Sequence, residues 1–88
     1  MEKNHLHLVV VSPERTLFDG IVKSVELPGE KGRFQVLFNH AAIISSLLPG
    51  NIAYDTVEAK SQTNTQTISI AGGFVEVKDN LVSVCVEL

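Results

Sequence analysis

The sequence predicts an all-β domain, an antiparallel β-sandwich (flattened barrel) of about eight to ten short strands. Three observations carry this. Apolar residues alternate over short runs, as in Leu6, Leu8 and Val10 and again in Val82, Val84 and Val86. Clusters of Gly, Pro, Asp and Asn punctuate those runs at roughly 8–12-residue spacing. The chain has 88 residues, 44% of them hydrophobic, which excludes a disordered chain and makes residues 1–88 one domain.

The elements follow in order. Leu6, Leu8 and Val10 alternate with His5, His7, Val9 and Val11, giving a first strand with one fully apolar face. Ser12-Pro13-Glu14 turns the chain. Arg15 to Phe18 is a short strand ended by Asp19-Gly20, a strong hairpin signal. Ile21 to Leu27 is next, and its phase slips between Val22 and Val25, which points to a bulge. Pro28-Gly29 and Pro49-Gly50 mark turns at the two ends of a central stretch. Within it Phe34 to Phe38 reads as a strand. Ala42 to Leu48 is apolar on both faces, a buried strand or a short helix, and Ile43, Ile44 and the flanking Pro-Gly favour strand.

Asn51 to Val57 puts Ile52, Tyr54 and Thr56 on one face. Glu58 to Thr65 is polar and aperiodic, the expected mobile tip of a hairpin. Thr67 to Ala71 turns Ile68 and Ile70 inward, and Gly72-Gly73 breaks it. Val75 and Val77 alternate with Glu76 and Lys78. Lys78-Asp79-Asn80 turns the chain into a last strand, Leu81 to Glu87.

Composition removes several function classes. Net charge is −3 with signs interspersed, so no basic footprint for nucleic acid exists. One cysteine, Cys85, cannot form an internal disulfide, which fits a reducing compartment; it reads as a small edge residue. Met1-Glu2-Lys3-Asn4 runs straight into a strand without a signal peptide. No apolar run approaches the ~18 residues of a membrane span, so membrane contact must pass through another protein. A domain this small needs nearly all its apolar residues inside and cannot spare a deep substrate cavity.

No stretch carries a standard catalytic or metal spacing. Gly29-Glu30-Lys31-Gly32 lacks the glycine spacing and following helix of a phosphate loop and reads as a hairpin loop. His5 and His7 share a strand face, without a third metal ligand nearby in sequence. His40 with Glu26 or Asp55 is the only nucleus for an enzyme. Asn39-His40 lies between apolar strands, where His40 caps a turn or meets a partner. Leu37 and Phe38 are adjacent and point to opposite strand faces, so one of them faces outward toward a partner.

A set of ordered motifs is more specific. It comprises Leu8-Val9-Val10-Val11-Ser12-Pro13-Glu14, Leu17-Phe18-Asp19-Gly20, and Val25-Glu26-Leu27-Pro28-Gly29 before Gly32-Arg33-Phe34. Asn39-His40-Ala41 then leads to Leu48-Pro49-Gly50, and Ile70-Ala71-Gly72-Gly73-Phe74-Val75-Glu76-Val77 closes the series. Through these pieces the chain resembles the N-terminal β-sandwich domain of the epsilon subunit of F-type ATP synthase. It departs from the usual central motif Gly-x-Leu-Pro-x-His-Ala-Pro-Leu by Gln35, Phe38 and Ala42 in place of Gly, Pro and Pro. Some members carry a carboxylate at the position of Arg33, which reverses the polarity of the tip.

The resemblance implies a non-catalytic rotor subunit. It links the gamma subunit to the ring of c subunits and couples proton- or sodium-driven rotation to ATP synthesis. Gly29, Glu30, Lys31, Gly32 and Arg33 would meet the c-ring. Phe38, Asn39, His40, Ala41 and Ile43 would meet gamma. No cofactor, metal, catalytic residue or nucleotide is implied for this domain. The location implied is peripheral, on the cytoplasmic face of a bacterial inner membrane. Family members continue into a C-terminal helical hairpin that inhibits hydrolysis and in some binds ATP. The sequence ends at Leu88, either as a naturally short epsilon or as a truncated one; Val86-Glu87-Leu88 leaves no linker, which favours the first, and without the hairpin no such switch is expected. The rival reading is a stand-alone β-sandwich binding module. It calls for aromatics on an exposed face, and the chain has four Phe, one Tyr and no Trp.

Overall fold

A computed structural model describes residues 4–57 and 63–88. Eight strands are present: β1 (Leu6–Val11), β2 (Thr16–Gly29), β3 (Gly32–Val36), β4 (Ile43–Leu47), β5 (Gly50–Val57), β6 (Thr63–Ile70), β7 (Gly72–Lys78) and β8 (Leu81–Glu87). The ambiguous central run is a strand, and the described residues form no helix.

The strands follow the order β1-β8-β7-β4-β2-β5-β6, with β3 on β2, and a further β1–β2 pairing closes β1, β8, β7, β4 and β2 into a ring. That is the flattened barrel expected, with one difference. β1 and β8 run parallel, His7 opposite Leu81 through Val11 opposite Cys85, while the other pairs are antiparallel. Cys85 therefore sits in a strand paired on both sides, not at an edge, and its side chain is exposed on the sheet surface.

The long strand β2 organises the ring. It pairs β1 over Thr16–Val22, β5 over Val22–Glu26, β3 over Val25–Gly29 and β4 at Gly29. Two expected turns are absent as a result. Asp19-Gly20 lies inside β2, opposite Val9 and Leu8, because the β1 ladder supplies its backbone partners. Pro28-Gly29 is likewise strand. Only the missing N–H of Pro28 is turn-like, and its carbonyl still accepts from Leu48 N–H at 2.8 Å. The expected phase slip is real: the β2–β5 register shifts between Val22 and Ser24.

The alternating faces bury one core. Leu6, Leu8 and Val10 from β1 meet Val22, Val25 and Leu27 from β2 and Ile52 and Tyr54 from β5, with Val75, Val77, Val82, Val84 and Val86 opposite. Phe18 stacks obliquely on Tyr54, ring centroids 4.4 Å apart. Burial pushes the Tyr54 phenol pKa above its ordinary value. Two strand ends differ from the expectation. β3 stops at Val36, leaving Leu37 and Phe38 in the following turn, and β6 begins at Thr63, so Thr63 to Thr65 belong to strand. The rest of the expected mobile tip, 58–62, lies outside the described residues.

Candidate functional site

Two turns and the strand face between them form the candidate site. The first is the β2–β3 hairpin. Gly29 pairs with Gly32, leaving Glu30-Lys31 as a two-residue loop. Gly32 has a φ of 126° and takes the reversal that Glu30 and Lys31 do not. Gly29 is buried under Phe34, and a Cβ there would stand 2.7 Å from that ring and 2.8 Å from the Gly32 carbonyl oxygen. Glu30 N–H donates to the Ser46 carbonyl at 3.1 Å, tying the tip to β4. Arg33 Nε donates to Glu26 Oε1 at 2.9 Å, and both side chains are exposed. Arg33 is thus a compensated cation, and the exposed pair contributes at most about 1 kcal/mol to folding.

The second turn joins β3 to β4. Asn39 holds a φ of 66°, and His40 N–H donates to the Leu37 carbonyl at 3.1 Å. His40 Nδ1 lies 2.7 Å from the Ala41 carbonyl oxygen. A carbonyl only accepts, so that contact places the proton on Nδ1 and leaves Nε2 as an acceptor. His40 therefore caps its turn. Phe38 is half-buried and Ala41 exposed. Ile43 leans on the core, whereas its neighbour Ile44 is 76% exposed.

Between the turns runs a band of mixed polarity with two exposed apolar side chains that the sequence pattern does not single out. Ser46 pairs with Phe74 and Ile44 with Glu76, so Ile44 and Phe74 stand on one outward face; Phe74 is 53% exposed. One groove joins the hairpin tip to Ile44, Ser46 and Phe74. A second links Ile44 to Ala42, Glu76 and Lys78, and a third links Ala42 and Lys78 to Asn39, His40 and Asn80. The two sequence-derived clusters therefore mark the ends of one continuous band along β4 and β7. Phe74 was legible in principle: it precedes the inward Val75 by one residue, and strand alternation places it outward. Ile43-Ile44 held no such signal, since either could face the core.

The enzyme nucleus is not assembled. Glu26 holds Arg33, Asp55 accepts from Ser24 and Thr65, and His40 holds its own turn. His7 Nε2 contacts Asp19 Oδ1 at 2.6 Å across the β1–β2 ladder. Among the described residues, no three His, Cys, Asp or Glu side chains cluster as metal ligands.

Residues 5–88 match the family described as ATP synthase, Delta/Epsilon chain, beta-sandwich domain. The ATP synthase epsilon chain of Leptospira borgpetersenii serovar Hardjo-bovis is 39% identical over 84 residues, covering 96% of this chain and 62% of that protein. The ATP synthase epsilon chain of a Nitratiruptor species is 42% identical over 82 residues, covering 93% and 60% respectively. This chain thus spans about three fifths of the length of those relatives. Among solved structures, a chain of the Euglena gracilis mitochondrial ATP synthase (OSCP/F1/c-ring, rotational state 1) superposes with a TM-score of 0.85 at 18% identity, over 98% of this chain and 52% of its own. A chain of the Tetrahymena thermophila mitochondrial ATP synthase central stalk and c-ring gives 0.75 at 20%, over 100% and 67%. At those identities the two structures establish a shared fold. With its ring of strands and ordered motifs, the chain belongs to the beta-sandwich domain family of the ATP synthase delta/epsilon chain.

Proposed function

We propose that this domain is a non-catalytic rotor component of an F-type ATP synthase. It joins the gamma subunit to the ring of c subunits and passes ion-driven rotation between them. The observation that carries this is the continuous outward band along β4 and β7, where Ile44 and Phe74 stand exposed among Ser46, Glu76 and Lys78, on a strand ring with a solid core. A monomeric soluble domain has little reason to expose Ile44 and Phe74 side by side; an assembled one covers them. Membership of the family and the epsilon-chain relatives support the same reading.

The roles divide along the band. Gly29 to Arg33 form the end that meets the c-ring, a short charged tip suited to a wetted contact. Phe38, Asn39, His40 and Ala41 meet gamma, and the outward Ile44 and Phe74 take the place of Ile43, whose side chain packs on the core. The half-buried Phe38 and the exposed Ile44 supply apolar anchors, and His40 Nε2 accepts a hydrogen bond. The domain takes no nucleotide, and it reaches the membrane only through the ring, at the cytoplasmic face in a bacterium.

Co-purification with the gamma subunit of the same organism tests the reading. Phe38→Ala and Ile44→Asp each lower that affinity by about 2 kcal/mol, roughly thirtyfold, while melting close to the wild type. Wild-type affinity in both variants refutes the assignment.

A further inference from the structure

We infer that Asn80, in the β7–β8 turn, is a positioning residue that fixes the shape of the gamma-binding turn; this rests on the docking role proposed for Phe38 to Ala41. The described residues contain three non-glycine positions with positive φ, and all three meet here: Asn39 at 66°, Asp79 at 53° and Asn80 at 65°. Such conformations cost an ordinary residue about 1 kcal/mol or more, and Asn and Asp tolerate them best. Two left-handed turns far apart in sequence are thus held face to face.

Asn80 is the node that holds them. Asn39 N–H donates to Asn80 Oδ1 at 2.6 Å. Asn80 Nδ2 donates back to Asn39 Oδ1 at 3.1 Å. The Asn80 carbonyl also accepts from His7 N–H at 3.0 Å, anchoring the turn to the start of β1. One side chain therefore uses a donor and an acceptor on Asn39 while its backbone is fixed to a third element. Asn39 lies between Phe38 and His40, the anchor and the acceptor of the proposed contact. Leu37 and Ala41, at the two ends of this turn, are exposed and supply little packing of their own. Without the clamp the turn samples other conformations, and binding must first order it.

The test separates the clamp from the backbone. Glycine at position 80 keeps positive φ at no cost but removes both side-chain hydrogen bonds. Aspartate keeps the acceptor for Asn39 N–H, and the Asn39 amide can reverse to donate to the second carboxylate oxygen. We expect Asn80→Gly to weaken binding to gamma about fivefold with a near wild-type melting point, and Asn80→Asp to restore it to within about twofold. In the free chain, Asn80→Gly speeds hydrogen exchange at the Asn39 amide and leaves the β8 amides protected. Wild-type affinity in Asn80→Gly, while Phe38→Ala binds weakly, overturns the clamp and leaves the docking surface intact. Wild-type affinity in both overturns the docking reading and the clamp with it.

Discussion

Replacing Gly73 with alanine measures how tightly β7 and β8 are laid together. A Cβ at that position would stand 2.1 Å from the Cys85 carbonyl oxygen and 2.9 Å from the Val86 Cα. Carbon and oxygen need about 3.3 Å, so the strands must part by about 1 Å. The obstacle is backbone of a paired strand and no rotamer change relieves it. Overpacking of this kind costs about 1–3 kcal/mol. The φ of 152° at Gly73 brings a further strain of about 1 kcal/mol or more. A total near 3 kcal/mol compares with an expected global stability of about 4–13 kcal/mol for a chain of this length. It lowers the melting temperature by about 12–24 °C. Gly72→Ala is the control, because its Cβ meets only the Leu47 carbonyl oxygen at 3.6 Å. It retains the backbone strain without the collision, and a drop of about 4–8 °C follows. Thermal melts followed by circular dichroism decide between them. Equal melting points for the two variants refute the argument, since then the collision has no energetic consequence.

Two further outcomes follow from particular side chains. Because burial raises the Tyr54 pKa in the folded state, the neutral phenol is stabilised relative to the unfolded chain. That stability is complete below the unfolded pKa of about 10 and is lost as pH rises through the folded value. Urea titrations across that alkaline range therefore show a steeper loss for the wild type than for Tyr54→Phe, and identical slopes refute the burial argument. Arg33→Glu sets a second carboxylate across the β2–β3 hairpin from Glu26. The isolated domain loses under about 1 kcal/mol. On the proposed ring contact, ion-driven ATP synthesis in membrane vesicles carrying this variant falls, and unchanged synthesis removes the tip from that contact.

Local pattern carried the strand inventory because a period of two needs no knowledge of partners. Leu6, Leu8 and Val10, and likewise Val82, Val84 and Val86, are buried as their alternation requires. Pairing was not legible, because it depends on residues far away in sequence. Asp19-Gly20 has the chemistry of a hairpin turn, yet the β1 ladder claims its backbone, and the Phe18 ring covers Gly20. The parallel β1–β8 contact joins strands far apart in sequence and leaves no local trace. The two ends of the candidate band, Gly29 to Arg33 and Phe38 to His40, were named from the resemblance; read as residues alone, the first is a hairpin loop and the second a turn cap or a contact. The middle of the band was hidden in an apolar run, where nothing distinguishes the inward Ile43 from the outward Ile44. The Asn39–Asn80 contact was hidden for the same reason as the parallel pair: each asparagine reads alone as a plain turn residue.

The closure of the strand ring by β1 and β8 sets an order on biosynthesis. β1 can pair with β2 as soon as both leave the ribosome. Its other edge stays bare until Leu81–Glu87 follow. Until then the nascent chain carries an unpaired β edge beside an unfilled half-core that awaits Val82, Val84 and Val86. Such an edge recruits any strand within reach, including that of a neighbouring nascent chain on the same message. Polysome crowding then becomes a hazard specific to this topology, and the arrival of β8 is the step that ends it.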